Sequence, residues 1–579
     1  MKKIIIAIVL VLAAGGAAAW YFVAGPGAGS AANSYAAVVP ANTLFYMGSS
    51  QPNEFAQAMS SLREARLESM SSDLEKSRVA SRYGQAGLFL AGLLEAYNAR
   101  VSQGKSVPGI PRVSHSVAYS VGIVPVLRMQ VNNAAAFKQF LDDAEQRGGA
   151  QSVKASYQGV AYRDYPLQLN NKPVPVSLLV AVRPHFLVVT LDVPSLRDES
   201  LPLALGLKKP AHSLAQSGLI QRIAEKNGFA NNDIGFFNHQ AVVAAVIGTP
   251  GSLAGEMLTS LDSHHGLAPL RQQGCAAYLQ SIAKVWPMTV MGMLPVNGAA
   301  PDEVVLRERM VSRLTDPSLT ATLGKLRGHV PAALLDGSQK PMLAVALGLD
   351  VSSLAAVATD LQQRFLQADY PCDWLIDAQQ DVRQKNPAAM TVATVMISGL
   401  RGVSASVFGL FGPPAGGKMS LDADALVNIS ATNPRALVQL VKRMKPTMFG
   451  DITIPDDGSS VVLPGNGKLE VRAMIAGHHF VLFTGKHATE VAKNLAAKDL
   501  QPNGLVYYRM DYGKLMPELE KAIAQRTPKG KMAEKMRSVR KSLRSMAQSK
   551  LRLQMSLDIE KPGAVVDVKA AVAKPSPGH

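Results

Sequence analysis

The chain opens with an uninterrupted apolar run from Ile4 to Ala24, which directly follows Lys2 and Lys3. A helix of about 20 apolar residues spans the hydrocarbon core of a bilayer, and lysines beside it stay on the cytoplasmic side. We therefore expect residues 1–25 to form a signal anchor that crosses the bacterial inner membrane once.

The segment after this run is rich in small residues, and we predict a flexible tether at residues 26–34. The alternative to an anchor is a signal peptide cleaved near Ala17–Ala19, which would leave a soluble periplasmic protein. Either interpretation exports the rest of the chain, so we expect its body in the periplasm, where nucleic acid is not an expected partner.

Beyond the tether, short apolar runs of alternating pattern are separated by turn residues and by amphipathic helical stretches. Five such patterns recur in the same order in the two halves of the chain, which indicates an internal repeat. The paired segments are 39–55 with 330–354, 126–141 with 425–441, 176–191 with 469–484, 234–243 with 506–515, and 288–311 with 551–573.

This order of elements predicts an α+β fold made of two pseudo-repeated halves, each with mainly antiparallel sheet and packed helices. We place the first half at residues 35–315 and the second at 326–573, followed by a disordered tail at 574–579.

The alternation is clearest at the end of the chain. Leu551, Leu553, Met555, Leu557 and Ile559 share one face of a predicted strand, and polar residues occupy the other. Such a pattern predicts a strand with one packed face and one face in water.

The composition is 47% hydrophobic and 18% charged, which excludes a globally disordered chain. Lys and Arg exceed Asp and Glu by 17, and over half of this excess lies at 526–552. Apolar residues at helical spacing predict an amphipathic helix here, with a cationic outer face. The candidate contacts with an anionic surface are Lys529, Lys531, Lys535, Arg537, Arg540, Lys541 and Arg544.

Two interpretations of this helix stay open. It either covers a core with a solvated outer face, or it docks on an anionic surface. Acidic lipid headgroups are the first candidate for that surface, and an acidic envelope polymer is the second.

The chemical motifs are weak. Residues 412–418 read GPPAGGK and match a phosphate-loop spacing, but Pro413 and Pro414 remove two backbone donors and Met419 replaces the required hydroxyl. We identify no catalytic residue, cofactor site or metal site. Cys275 and Cys372 are the only cysteines, and in an exported chain they form a candidate disulfide; two buried thiols are the alternative.

Three segments carry a resemblance: VPANTLFYMG at 39–48, VPVLRMQVNNAAAFKQFL at 124–141 and LPLALGLKKPAHSLAQSG at 201–218. In these the chain resembles an exported, N-terminally anchored bacterial family of unknown function and of about this length. The resemblance implies an envelope protein and transfers no catalytic residue.

Together these observations predict a membrane-anchored envelope protein with a non-enzymatic role in binding or assembly. One alternative is a periplasmic carrier of a lipid or another apolar ligand, which an apolar groove between curved sheets would favour. A second alternative is a hydrolase with an unrecognised site.

Overall fold

The computed structural model of the protein describes residues 35–574 with several gaps. The gaps are 50–75, 102, 104, 112–114, 231–232, 264, 297–299, 385–396, 412–421, 445–451, 465–469, 496–499 and 525–530. The predicted anchor, the tether, the GPPAGGK segment and residues 575–579 of the predicted tail lie outside the described residues. Within the described part of the chain, no helix combines the length and apolarity needed to cross a membrane.

The fold is α+β, with extensive antiparallel sheet and packed helices, as predicted. Contacts divide the chain into two units, with the boundary between Ala299 and Ala300. The strand at Glu303–Arg313 pairs along its whole length with the strand at Gly563–Ala573. This pairing assigns residues 303–313 to the second unit, whereas the sequence pattern had put them at the end of the first half.

The first unit contains nine described strands. They are β1 (Phe45–Ser49), β2 (Ser116–Val121), β3 (Val124–Gln130), β4 (Val153–Tyr157), β5 (Val160–Leu169), β6 (Lys172–Val182), β7 (Phe186–Asp192), β8 (Asp233–Asn238) and β9 (Met288–Met293). They pair antiparallel in the order β4-β5-β6-β7-β3-β2-β1-β8-β9. The two-residue turn between β5 and β6 is formed by Asn170 and Asn171, both at positive φ, which suits a tight hairpin.

Nine described helices accompany this sheet. They are α1 (Lys76–Val101), α2 (Ala134–Gly148), α3 (Arg197–Ala204), α4 (Leu214–Ser217), α5 (Leu219–Asn227), α6 (His239–Val246), α7 (Leu253–Leu261), α8 (Ala268–Arg271) and α9 (Gln273–Val285).

Helices cover both faces of this sheet. On one face α1 and α2 build a core in which the rings of Phe89 and Tyr165 stack with centroids 4.1 Å apart. The two helices touch at Gly92, where a Cβ atom would lie 2.0 Å from the Ala144 carbonyl oxygen. On the other face, Val124 of β3 packs in a smaller cluster with Met257 of α7.

The second unit contains ten described strands. They are β10 (Glu303–Arg313), β11 (Leu343–Gly348), β12 (Leu400–Phe411), β13 (Asp422–Ala431), β14 (Ser460–Val462), β15 (Arg472–Ala476), β16 (His479–Thr484), β17 (Val506–Asp511), β18 (Arg552–Glu560) and β19 (Gly563–Ala573). They pair antiparallel in the order β14-β15-β16-β13-β12-β11-β17-β18-β19-β10.

Eight described helices accompany the second sheet. They are α10 (Pro317–Gly324), α11 (Ala332–Leu335), α12 (Val351–Gln367), α13 (Asp373–Gln384), α14 (Pro434–Met444), α15 (Lys486–Leu495), α16 (Tyr512–Ala524) and α17 (Lys531–Gln548). Around β13 and β16, α15 builds a core on one face, and α14 builds a separate core on the other.

Candidate functional site

The most distinctive surface of the second unit is one face of its central five strands, β13-β12-β11-β17-β18. Side chains of a strand alternate between the two faces of a sheet, so every second residue lies on the same face. The pairing registers align three successive rows of residues across these strands. The fifteen positions, which we call the open face, are Leu343, Val345, Leu347, Val403, Ala405, Val407, Ala425, Val427, Ile429, Val506, Tyr508, Met510, Leu553, Met555 and Leu557.

All fifteen side chains are apolar or aromatic, and none is buried. Leu347, Val345 and Val427 are 48%, 46% and 40% exposed. The one hydroxyl, that of Tyr508, donates to the sulfur of Met510 at 3.4 Å. An apolar sheet face is normally covered by helices or by a second sheet, so this surface is unusual for a folded unit.

On the opposite face, central positions of β11, β12 and β17 are buried but carry small and polar side chains. Ala344, Ala346, Ser404, Ser406 and Tyr507 are each 3% exposed or less. At these positions the more apolar face of the strands is therefore the more exposed one.

Strand β18 has no fully buried side, against the sequence-based expectation of one packed face and one face in water. The apolar side of β18 was expected to be the packed side, yet Met555 is 36% exposed. The polar side makes ion pairs instead, from Asp558 to Arg327 at 2.6 Å and from Arg552 to Glu303. Alternation separates the two faces of a strand correctly, but it does not tell which face the rest of the fold covers.

Among the described helices, α14 packs beside Ile429 through Val438 and Val441. Other described helices also contact strands of the open face: α10 contacts β18, α12 contacts β12 and α16 contacts β17. Arg401, near the start of β12, pairs at 2.9 Å with Asp350, which directly precedes α12.

The basic helix predicted from the sequence is α17, and it packs against α16. Glu520 of α16 accepts from Arg544 at 2.6 Å and from Arg540 at 3.3 Å. Burial raises the pKa of the Glu520 carboxyl, but these arginines outweigh it and hold the pKa below its ordinary value. Two of the candidate cations are thus engaged within the unit, and Arg537 is exposed.

The remaining cations of that set are only partly described. Lys529 lies outside the described residues, and for Lys531, Lys535 and Lys541 only the helical backbone is described. The apolar stripe of this helix is incompletely covered, since Val539 is 42% exposed.

The two cysteines lie in different units. Cys275 is in α9 and Cys372 directly precedes α13, and both side chains are almost fully buried. The bridge between them stays a prediction.

One buried contact in the second unit has the residue types of a hydrolase. Ser430 Oγ lies 3.1 Å from His479 Nδ1, and Asn428 Nδ2 donates to Ser430 Oγ at 3.0 Å. All three side chains have no exposed surface, so substrate has no access to this pair. A ligand set for a metal ion is not found either among the described residues.

Comparison with protein-family models, curated proteins and solved structures finds no match. The resemblance to an exported family therefore stays an expectation. The fold and the open face define only a class, an α+β protein with extensive antiparallel sheet and an exposed apolar sheet face.

Proposed function

We propose that this protein is a non-enzymatic binding protein of the bacterial cell envelope, held at the inner membrane by residues 4–24. Its second unit binds a lipid acyl chain, or a ligand of equal apolarity, on the open face. The single observation that carries the proposal is the row-by-row apolar character of fifteen exposed or half-exposed positions on five adjacent strands.

The open face is large enough for an apolar ligand, and its lack of anchoring side chains favours such a ligand over a protein. Five strands about 4.8 Å apart and three rows about 6.8 Å apart cover about 24 Å by about 20 Å, or roughly 500 Å². A stable protein partner buries about 800 Å² on each side, around aromatic and arginine anchors that the open face lacks apart from Tyr508. One membrane leaflet has a hydrocarbon thickness of about 15 Å, so an acyl chain fits within the face.

Assembly with a protein partner is the second candidate. The cations of α17, which the sequence offered as contacts with an anionic surface, are partly engaged within the unit. Glu520 pairs with Arg540 and Arg544, although Arg544 stays exposed, and Arg537 is exposed as well. A contact between α17 and anionic lipid stays part of the proposal through the exposed side chains of Arg537 and Arg544. The hydrolase alternative has no accessible pair at Ser430 and His479.

We further propose that the two units are copies of one ancestral fold. In the first unit the strand order β5-β6-β7-β3-β2-β1-β8-β9 matches β14-β15-β16-β13-β12-β11-β17-β18 in the second. Asn133 caps α2 by accepting from Ala136 N at 3.0 Å, and Asn433 accepts from Ala436 N at 3.0 Å at the start of α14.

Strand registers extend this correspondence beyond one pair of caps. We first take Asn133 as equivalent to Asn433. We then follow the residue pairs from strand to strand, through β3, β2, β1 and β8 in the first unit and through β13, β12, β11 and β17 in the second. The count makes Asn238 equivalent to Asp511. Both are helix caps, accepting from Ala241 N and Lys514 N, and a one-residue slip in any strand would break the match.

Cross-linking of the full-length protein tests the binding proposal. We expect a photoactivatable fatty acid, added to the protein in liposomes, to label peptides of β11 and β12. A variant carrying Val345→Asp and Leu347→Asp should lose most of this label, because binding of the acyl chain would remove water from two carboxylates. Val462→Asp is the matched control, since Val462 is 46% exposed on β14, outside the open face. Equal labelling of both variants would refute the proposal.

A further inference from the structure

Arg128, in the first unit, is a buried cation near the end of β3. Its side chain is 4% exposed. Nη2 donates to the Ala204 carbonyl oxygen at the end of α3, at 3.1 Å, and the guanidinium carbon lies 4.4 Å from the centroid of the Phe186 ring. These contacts fix the position of the guanidinium but supply no negative charge.

The charge of Arg128 is not balanced by a described neighbour. Nε is buried and has no hydrogen-bond partner, and no described carboxylate forms an ion pair with this side chain. An arginine carries five N–H donors and does not lose its proton in proteins, so a buried one is normally paired. A buried charge without a counter-ion destabilises the folded state.

No Asp or Glu lies next in sequence to the residues that contact Arg128. Its described contacts are with Phe186, Ala204 and Gly206, and the three segments that hold these residues and Arg128 itself, 124–141, 182–191 and 200–224, contain six Lys and Arg residues and no Asp or Glu. An anion at this place would therefore meet attraction from several sides and repulsion from none of these segments.

A cationic loop passes directly beside the guanidinium. Gly206 has a positive φ of 73°, and a Cβ atom there would lie 2.8 Å from Arg128 Nη2. Glycine is thus required for the backbone to approach this closely. Lys208 and Lys209 follow within three residues and are exposed, and exposed His185 directly precedes Phe186 on the other side.

We propose that Arg128, Lys208 and Lys209 form a binding site for a phosphate-bearing anion in the first unit. The planar guanidinium provides directed N–H donors for phosphate oxygens, and the two lysines add mobile positive charge at the rim. The phosphate is either free or part of a lipid headgroup, since both present the same oxygens. The site is independent of the open face and of the ligand proposed there.

The first test uses the full-length protein in neutral detergent micelles, with inorganic phosphate as the probe. We expect phosphate to raise the melting temperature of the wild type and to bind at least tenfold more weakly to a Lys208→Gln, Lys209→Gln double variant. Both lysines are exposed, so this variant is expected to fold normally. The control is Lys154→Gln with Lys226→Gln, which removes the same charge from exposed positions of the same unit.

Two further measurements complete the test. Arg128→Lys keeps the charge but loses the planar donor set, and it should also weaken phosphate binding at least tenfold. Micelles doped with phosphatidylglycerol distinguish a lipid headgroup from free phosphate. If phosphatidylglycerol raises the melting temperature of the wild type but not that of the double variant, the ligand is a headgroup. If only inorganic phosphate raises it, the ligand is free phosphate. Equal phosphate affinity of the wild type and the double variant, or equal weakening in the control, would overturn the proposal.

Discussion

The exposure of the open face can be tested with two neighbouring residues of β11. Leu347 is 48% exposed on this face, whereas Ala346 is 1% exposed on the other. Burying a leucine side chain adds about 2 kcal/mol to the free energy of unfolding. Leu347→Asp removes only the covered half of that side chain and should therefore lower this free energy by about 1 kcal/mol. The poor fit of aspartate to a strand can lower it by up to about 1 kcal/mol more. Ala346→Asp introduces an unpaired buried carboxylate and should cost about 4 kcal/mol or more.

Urea unfolding of the full-length protein, followed by far-ultraviolet circular dichroism, measures both losses as shifts in midpoint. We expect the transition of Leu347→Asp to stay close to that of the wild type and that of Ala346→Asp to move far below it. Similar large losses in both variants would mean that the open face is packed, and the binding proposal would fail with it.

Three further predictions concern single groups. Burial lowers the pKa of the His329 imidazole, so the folded state keeps it neutral while the unfolded state takes up a proton below about pH 6.5. The melting temperature should therefore fall between pH 7 and pH 5, and less steeply in His329→Asn; equal slopes would contradict this. Replacing Asn133 or Asn433 by alanine should each lower the free energy of unfolding by about 1 kcal/mol, and an unfolding titration showing no loss at either cap would speak against their equivalence. Titration of the denatured, unreduced protein should find no reactive thiol at Cys275 or Cys372; two reactive thiols would rule out the predicted disulfide.

Local structure was readable from the sequence because it depends on neighbouring residues. The Asn that precedes each predicted helix at 126–141 and 425–441 is a helix cap, and the hairpins at 176–191 and 469–484 are present. These features follow from side-chain alternation, turn residues and capping, all of which act over a few positions.

What the sequence could not give depends on contacts distant in the chain. Alternation in β18 defines two faces, but it does not show that Asp558 of the polar face pairs with Arg327, more than 200 residues earlier in the chain. Likewise the positive segment at 526–552 gives no sign that Glu520 engages Arg540 and Arg544. The isolated positive charge of Arg128 is visible only when the three segments without acidic residues are known to meet.

The proposed duplication relates the buried Arg128 of the first unit to the open face of the second. The same register count makes Arg128 equivalent to Asn428, a fully buried residue that donates to Ser430. It also makes Ser116, which is buried, equivalent to exposed Val403 of the open face. If the units are copies, one fold has retained its hydrogen-bond registers while the first copy acquired a buried cation and the second an apolar surface. The register of a strand is fixed by all of its residue pairs at once, so it resists change. A single side chain can be replaced without shifting the register, and two copies of a sheet can therefore keep the same registers while their side chains diverge.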